Sequence, residues 1–479
     1  MNAAKTALGT ALVAGLFSSC SSYKSLSAPP AMDAAGLVRD GKAGGTDTSS
    51  VADIPWRSYF ADPKLQALLA EGLDSNFELR TALVRIDQAE ASLGAARAGQ
   101  APAITAVAGA NRTQSSTGNH GRDVLGYTSQ GASLGFSATW ELDLWGRVRR
   151  LDEAARAQYL SSEEGRRAVF LSLVSEVATS YYGLLELDEE LAIAHQATDS
   201  FGRSLELFNR QLEGGTASRL DSATAEAAMA TSAARIPDLE RQIAITENQI
   251  SVLVGSSPGP IVRGARLSEQ SVPPEVPAGL PSALLERRPD VREAEFAAVA
   301  ANAGIGVTVG GFLPRIGLSA ILGGVSPELN SVTSRQARLW SVGAGATGPL
   351  FQGGGLHGQY EQAKETWEIA KLQYQQAALN AFGDVANALV TRQKLAQVRE
   401  EQERAVKAYE EAVKLSSERY SAGKASYYEV IEAQLRLFPS QVALAQTKRS
   451  QFTAVVDLYK ALGGGWNLKD PEWSGSPSR

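Results

Sequence analysis

The chain writes one polar hairpin twice. RQLEGGTASRLDSATAEA begins at Arg210 and ERYSAGKASYYEVIEAQL at Glu418. Gly215 answers Gly423, Ser218 answers Ser426 and Asp221 answers Glu429, each 208 positions on (423 minus 215). Gly255 answers Gly463 at the same separation, and Arg80 answers Arg292 and Pro102 answers Pro314 at 212 (314 minus 102). Solenoid units repeat every 20–50 residues or so, far short of this separation, so the chain reads as one structural half duplicated.

Each half starts helical. From about Pro63 to Gln100 the apolar positions Leu65, Leu68, Leu69, Leu73, Leu79, Leu83 and Ile86 recur at helical spacing, and the counterpart begins at Pro281 and ends at GFLPRI. After each proline the period drops to two. Leu134, Phe136, Ala138, Trp140, Leu142 and Leu144 alternate with Gly135, Ser137, Thr139, Glu141 and Asp143; Trp340, Val342, Ala344, Ala346, Gly348 and Leu350 alternate with Ser341, Gly343, Gly345 and Thr347. Ile316, Leu318, Ala320 and Leu322 repeat the theme, and 104–112 repeats it more weakly. The expected strands are 104–112, 134–144, 316–324 and 340–350, of the length and pattern of a membrane β-strand. The polar stretches 113–131 and 325–338 would be the loops between paired strands.

Long helices come next. No proline interrupts 146–214 or 358–438, so each half carries a rod of roughly 100 Å at about 1.5 Å per residue. In the second rod Leu395, Val398, Gln402, Ala405, Tyr409, Ala412 and Ser416 step by three and four as a heptad seam of mostly small and polar residues. The rods turn at EGGTAS and SAGKAS, where glycine supplies the positive φ that ends one helix and lets another return.

Four membrane strands cannot close a barrel, and an open edge in lipid leaves backbone groups unpaired. Copies must pool their strands, two giving eight and three giving twelve. An eight-stranded barrel is filled by its own side chains, so a pore favours three or more. The helices leave the barrel on one side and make a second, helical tube, with the two glycine turns at its far tips.

The N-terminus reads as an export signal over 1–19: Lys5, an apolar run from Ala7 to Phe17, then small residues before Cys20, the one cysteine. Residues 20–52 read as an extended tether, 53–255 and 281–463 as the two repeats, 256–280 as a Pro/Gly linker and 464–479 as a tail. No stretch beyond residue 20 reads as a transmembrane helix. The net charge of −6 gives no reason to expect a nucleic-acid partner. His120, His195 and His357 lack metal-ligand spacing, so no metal and no cofactor is expected. GASLG at 131–135 fits a nucleophile-elbow pattern, but Ser133 lies at the start of an alternating strand, and the chain reads as no enzyme.

The chain resembles the outer-membrane efflux proteins, the TolC-like outer-membrane factors, in their lipoprotein branch. WRSYFADPKLQALL at 56–69, LDLWGRVRR at 142–150, LLERRPDVREAE at 284–295, GPLFQGG at 348–354 and RYSAGKASYYEV at 419–430 carry the resemblance. It implies a mixed α/β membrane protein, a homotrimeric duct with a twelve-stranded transmembrane β-barrel continued by a periplasmic α-helical barrel. It implies a lipid on Cys20, an outer-membrane location, a periplasmic adaptor and an inner-membrane pump of the resistance-nodulation-division type. At the periplasmic gate it places acidic rings at Glu429 and Glu432, an acid at Asp221 and a tyrosine at Tyr420, with the usual basic partner of Asp221 falling at the uncharged Ala425. Gly215, Ser218, Leu220, Gly423, Lys424 and Ser426 become candidates for adaptor contact. The rival to this passive duct is a structural lipoprotein that braces the envelope without conducting, and the polar positions Ser137, Thr139, Glu141 and Asp143 argue for a lumen over a brace.

Overall fold

The computed structural model describes residues 54–114, 128–270 and 285–464. Cys20, the tether, the tail beyond Gly464, most of the first strand–strand loop and the second part of the linker lie outside the described residues.

The first helical stretch is three helices. After a single turn, α1 (Trp56–Tyr59), Asp62 caps α2 (Pro63–Ser75) by accepting from the Lys64 and Leu65 amides at 2.8 and 3.4 Å. Asn76 takes an extended backbone and caps α3 (Phe77–Ala98), accepting from the Leu79 amide at 2.9 Å and donating to the Leu253 carbonyl at 2.8 Å. The continuous helix expected from Pro63 to Gln100 is therefore broken at Asn76, which serves as the end of one helix and the cap of the next.

Four strands form one antiparallel sheet in chain order: β1 (Ala103–Gln114), β2 (Thr128–Leu142), β3 (Arg315–Ser326) and β4 (Arg338–Thr347). β2 starts at Thr128 instead of Leu134 and stops at Leu142. Asp143 leaves the strand because its carboxylate accepts from the Val148 and Arg149 amides at 3.0 and 2.9 Å, which turns the chain into the next helix. Gly348 and Leu350 likewise fall beyond β4, whose strand ends at Thr347. The loop after β3 is folded, with one-turn helices at Leu329–Ser331 and Arg335–Ala337 and with Val332 and Ala337 buried.

The strand register sorts the side chains into two faces. Ile104, Ala106 and Ala108 pair with Ala138, Phe136 and Leu134; these continue to Ala320, Leu322 and Gly324, then to Val342, Trp340 and Arg338. That face is apolar over most of its height and unusually exposed, with Ile104, Trp340 and Val342 all about three-quarters accessible. The other face carries Thr105, Ser133, Ser137, Thr139, Glu141, Ser319, Ser341 and a series of glycines. Ser133, the candidate nucleophile, sits mid-strand with its hydroxyl toward the Gly109 carbonyl, and no strand–turn–helix elbow surrounds it.

Below the sheet, α4 (Arg147–Glu213) and α7 (Gly355–Ser421) are each 67 residues long, and α5 (Arg219–Leu253) and α8 (Tyr427–Ala461) are each 35. α6 (Pro289–Gly311) is the second-half counterpart of α3. The two long rods span the full helical layer. Near the sheet, α3 packs on α4, α4 on α6 and α6 on α7; toward the tips, α5 packs on α4, α4 on α8 and α8 on α7. Each level is thus a single row of four helices. The prolines Pro237 and Pro439 lie inside α5 and α8.

The joint between sheet and rods explains LDLWGRVRR. The Glu141 carboxylate accepts from Nε and Nη2 of Arg147 at 3.0 and 2.7 Å, and the Trp145 indole donates to the Pro314 carbonyl at 2.7 Å. ERRPDV places Arg288 against Asp290 and Asp384, at 2.6 and 2.9 Å, and against the Ala461 carbonyl at 3.3 Å, where it answers the open C-terminal end of α8.

The main core lies at mid-height, where α4, α8, α1 and α2 meet. Tyr59 stacks on Tyr459 and Tyr182 on Phe452, both at 4.6 Å between ring centres. One stretch of α4 is long and apolar enough, by composition alone, to cross a bilayer, which the sequence reading did not find. More than half of it is packed inside the protein, including the fully buried Val174, Val177, Ala178 and Tyr181. It is the core segment of the rod. The beginning of the Pro/Gly linker belongs to this core as well: Ile261 and Leu267 are buried, and Arg263 holds Asp188 at 2.9 Å and also bridges to Glu247.

The seam of α7 is largely as expected. Leu395, Gln402, Ala405, Tyr409 and Ser416 are at least partly covered and are joined by Arg399, Val406 and Val413, while Val398 and Ala412 stand exposed. Steps of four-then-three and three-then-four share every second residue, and which row is chosen depends on the side from which α8 packs.

The paired hairpin tips as the candidate functional site

The far ends of the rods bring the two repeated turns together. At each, a glycine sits in the left-handed region, Gly215 at φ 73° and Gly423 at φ 68°, which a side chain would resist. The turn amides of Thr216 and Lys424 close back on the Gln211 and Arg419 carbonyls at 2.8 and 2.9 Å. Ser218 and Ser426 then begin the return helices.

From here the two turns diverge. Ser218 and Asp221 form a reciprocal capping box: the Asp221 carboxylate accepts from the Ser218 amide at 3.0 Å and its hydroxyl at 2.7 Å, and the Asp221 amide donates to the Ser218 oxygen at 3.3 Å. The Ser218 hydroxyl and amide hold the Asp221 carboxyl below its usual range. Among the described residues Asp221 has no ion pair; neither Arg219 nor Lys424 reaches it, and Ala425 offers no charge.

The second turn uses its acid otherwise. Ser426 makes no side-chain cap, and Glu429, one methylene longer than Asp221, reaches across the turn to Arg419 at 3.7 Å. Glu432 lies a turn further on and pairs with Arg436 at 2.7 Å. Both glutamates are a little under half open to solvent and their arginine partners more so, so each pair is a screened surface contact.

Tyr420 lies between the hairpins. Its hydroxyl accepts from the Gln211 side chain of the first hairpin, and its ring meets Tyr427 edge-on at 4.8 Å. Tyr427 meets Phe208 edge-on at 5.1 Å and shares a 2.9 Å hydrogen bond with Ser204. At the tips the described links between the hairpins are therefore uncharged and aromatic. The sequence reading named Tyr420 but missed Ser204, Phe208, Gln211 and Tyr427. Their signal was present: 201, 204, 208 and 211 follow helical spacing on α4 and face the first turn of α8.

Of the candidates for contact with a partner, Leu220 is three-quarters exposed, and its counterpart Tyr428, 208 positions on (428 minus 220), is also exposed. Lys424 stands at the very turn, exposed beside Gly423. The two tips thus present an apolar group at the same place on each return helix.

Comparison with known proteins agrees with this architecture. The chain is 34% identical over 467 residues to the antibiotic efflux pump outer membrane protein ArpC of Pseudomonas putida, covering 96% of each chain. It is 30% identical over 419 residues to the probable outer membrane lipoprotein SilC of Salmonella typhimurium, covering 87% and 89%. The solved open state of the Neisseria gonorrhoeae MtrE outer membrane channel superposes with a TM-score of 0.80 at 30% identity, covering 88% of this chain and 94% of that one. The family model for outer membrane efflux proteins matches residues 68–256 and again residues 280–464, once on each repeat. The chain belongs to the outer membrane efflux protein family.

Proposed function

We propose that the chain is the outer-membrane exit duct of a tripartite efflux system, a passive conduit of three copies that opens and closes at the hairpin tips. One observation carries this reading. The chain is a single row of four strands continued by a single row of four helices, and both rows are open at their two edges. Such a row is completed by copies of itself. Three copies give a twelve-stranded barrel wide enough to hold water, with the exposed apolar face toward lipid and the serine, threonine and glycine face toward the lumen. The rods then continue the lumen into the periplasm.

A lipid on Cys20 would add a second attachment to the outer membrane. Glu429 and Glu432, repeated around a narrow axis, would form carboxylate rings that favour cations at the mouth. Leu220, Tyr428 and the glycine turns offer a mixed apolar and polar rim to a periplasmic adaptor, which in turn links the duct to an energised inner-membrane pump of the resistance-nodulation-division type. The duct itself performs no chemistry, and cargo is chosen upstream.

Single-channel current in planar bilayers tests this, comparing purified protein with a Glu429→Ala, Glu432→Ala variant. Discrete steps are expected from both, with cation preference weakened in the variant. Silence from inserted, oligomeric protein would sink the conducting duct; unchanged selectivity would sink the carboxylate mouth.

A further inference from the structure

Near the sheet α6 lies against α4, and there the two helices bring acids together. Ser161, Glu164 and Gly165 share one face of α4 at helical spacing. Glu293 of α6 sits on that face. The Ser161 hydroxyl donates to the Glu293 backbone carbonyl at 3.2 Å, and a Cβ added at Gly165 would come within 3.2 Å of a Glu293 carboxyl oxygen. Glycine at 165 is the room this side chain occupies.

Glu164 is 5% exposed. Its Oε1 accepts from Nη1 of Arg167 at 2.6 Å, while the buried Oε2 accepts from no donor among the described residues. Glu293 is half-buried, and among the described residues no hydrogen bond or ion pair reaches its carboxyl. The charged groups acting on the pair are few. From α4 come Arg167, already on Glu164, and Glu163. From α6 come Asp290, which adds to the negative field at Glu293, and Arg292, which pairs with Glu295 at 2.9 Å. From α3 comes Arg85, whose opposing charge is the smallest of the influences on Glu293, and α7 contributes none among the described residues. Burial pushes both carboxyls above their ordinary value of 4.5; Asp290 and Glu164 add to the rise at Glu293, and Arg167 opposes it at Glu164. Two neighbouring carboxylates away from water repel each other, and an orphaned buried acceptor is costly, so a single proton between them relieves both.

We propose that Glu293 and Glu164 share one proton, the Glu293 carboxyl donating to Oε2 of Glu164, and that this proton clamps α6 to α4 as a pH-sensitive tie. Arg167 keeps the negative charge on Glu164, which makes Glu293 the donor. The tie lies within one chain, one turn along α6 from Arg288 and its hold on the Ala461 carbonyl, so its failure would leave the duct reading standing. Its sign is fixed. The folded pair holds its proton above 4.5, where an unfolded glutamic acid releases it, so the tie is at full strength below that value and is lost as pH rises through the folded one.

Infrared spectroscopy tests this, because only a protonated carboxyl shows an acid carbonyl band and dodecyl maltoside, which has no carbonyl group, leaves that window clear. Full-length protein is compared with its Glu293→Gln and Glu164→Gln variants at about pH 6, above the range in which ordinary carboxyls titrate. Subtracting Glu293→Gln from the wild type should leave one acid band. Glu164→Gln should lose that same band, because without the Glu164 charge Glu293 ionises and accepts from the new amide. Glu226→Gln, at an exposed position of α5, should lose none, and any band from the other buried acids, Glu190 and Asp457, stays in every variant. Unaltered far-UV circular dichroism and gel-filtration volume establish that each variant is folded. Glu293→Gln is a permanent donor, so its Tm should gain on that of the wild type as pH rises from about 4 to about 9. No acid band from the wild type would overturn the shared proton without recourse to a variant, and so would two different bands lost one to each variant. A Tm difference that does not change with pH would overturn the clamp.

Discussion

Asp221 and Glu429 occupy equivalent places and perform different tasks. The shorter acid folds back onto Ser218 and caps its own helix; the longer one reaches Arg419 across the turn. Ser218→Ala should therefore loosen the start of α5 by about 1 kcal/mol, read as faster amide hydrogen exchange over 219–223. Ser426→Ala, which removes no side-chain cap, should change exchange at the start of α8 little. Equal effects at both turns would refute the asymmetry. The pH dependence has a definite sign. The folded Asp221 carboxyl lies below its ordinary value of 3.8, so the cap is at full strength above about pH 4 and is lost as pH falls through the depressed folded value. The sequence displayed both acids by their spacing from glycine. It could not display their tasks, because one methylene and the placement of Arg419 decide them.

At the scale of elements, the tips of the hairpins are tied by aromatic edges and neutral hydrogen bonds. Tyr427 is the hub, in contact with Phe208, Tyr420 and Ser204. Tyr427→Phe keeps the ring contacts and removes one hydrogen bond, a change of about 1 kcal/mol. If these ties hold the tips together, the variant should spend more time in conducting states in single-channel records, and Tyr427→Ala more still. An open probability unchanged in both variants would assign the tips' closure to contacts between copies. Glycine spacing and proline-free runs made the helices legible, and period-two alternation made the strands legible. Their ends were not: Asn76 breaks a helix whose apolar periodicity runs straight through it, and Asp143 ends a strand by capping the next helix from a position that still fits the alternation. Capping of this kind is a contact between a side chain and a backbone several residues away, which periodicity does not encode.

At the scale of the whole molecule, openness is the informative property. Among the described residues β1 and β4 each leave one side without a partner, and along the helical row α3, α5 and α7 are the edge elements. Two of these edges carry exposed apolar side chains: Phe77 and Val84 on α3, and Ile369, Leu372 and Leu379 on α7. Free strand edges pair with whatever strand is offered, and in a bilayer they must. Alternation along the chain makes β1 and β4 opposite in direction, so β4 of one copy can pair antiparallel with β1 of the next and close a ring. How many copies close it is a question for cross-linking. Cysteine placed at Ala106 on β1 can be combined in turn with cysteine at Trp340, Val342 or Ala344 on β4, all on the same face of the sheet. With oxidant, and with Cys20→Ser in every variant, the combination in register should drive the protein to a band of three chains, with two-chain species only as intermediates, while each variant with only one of the two added cysteines stays uncross-linked. A reaction that runs to completion at two chains would give eight strands and a filled barrel, and the conducting duct would then have no lumen through the membrane.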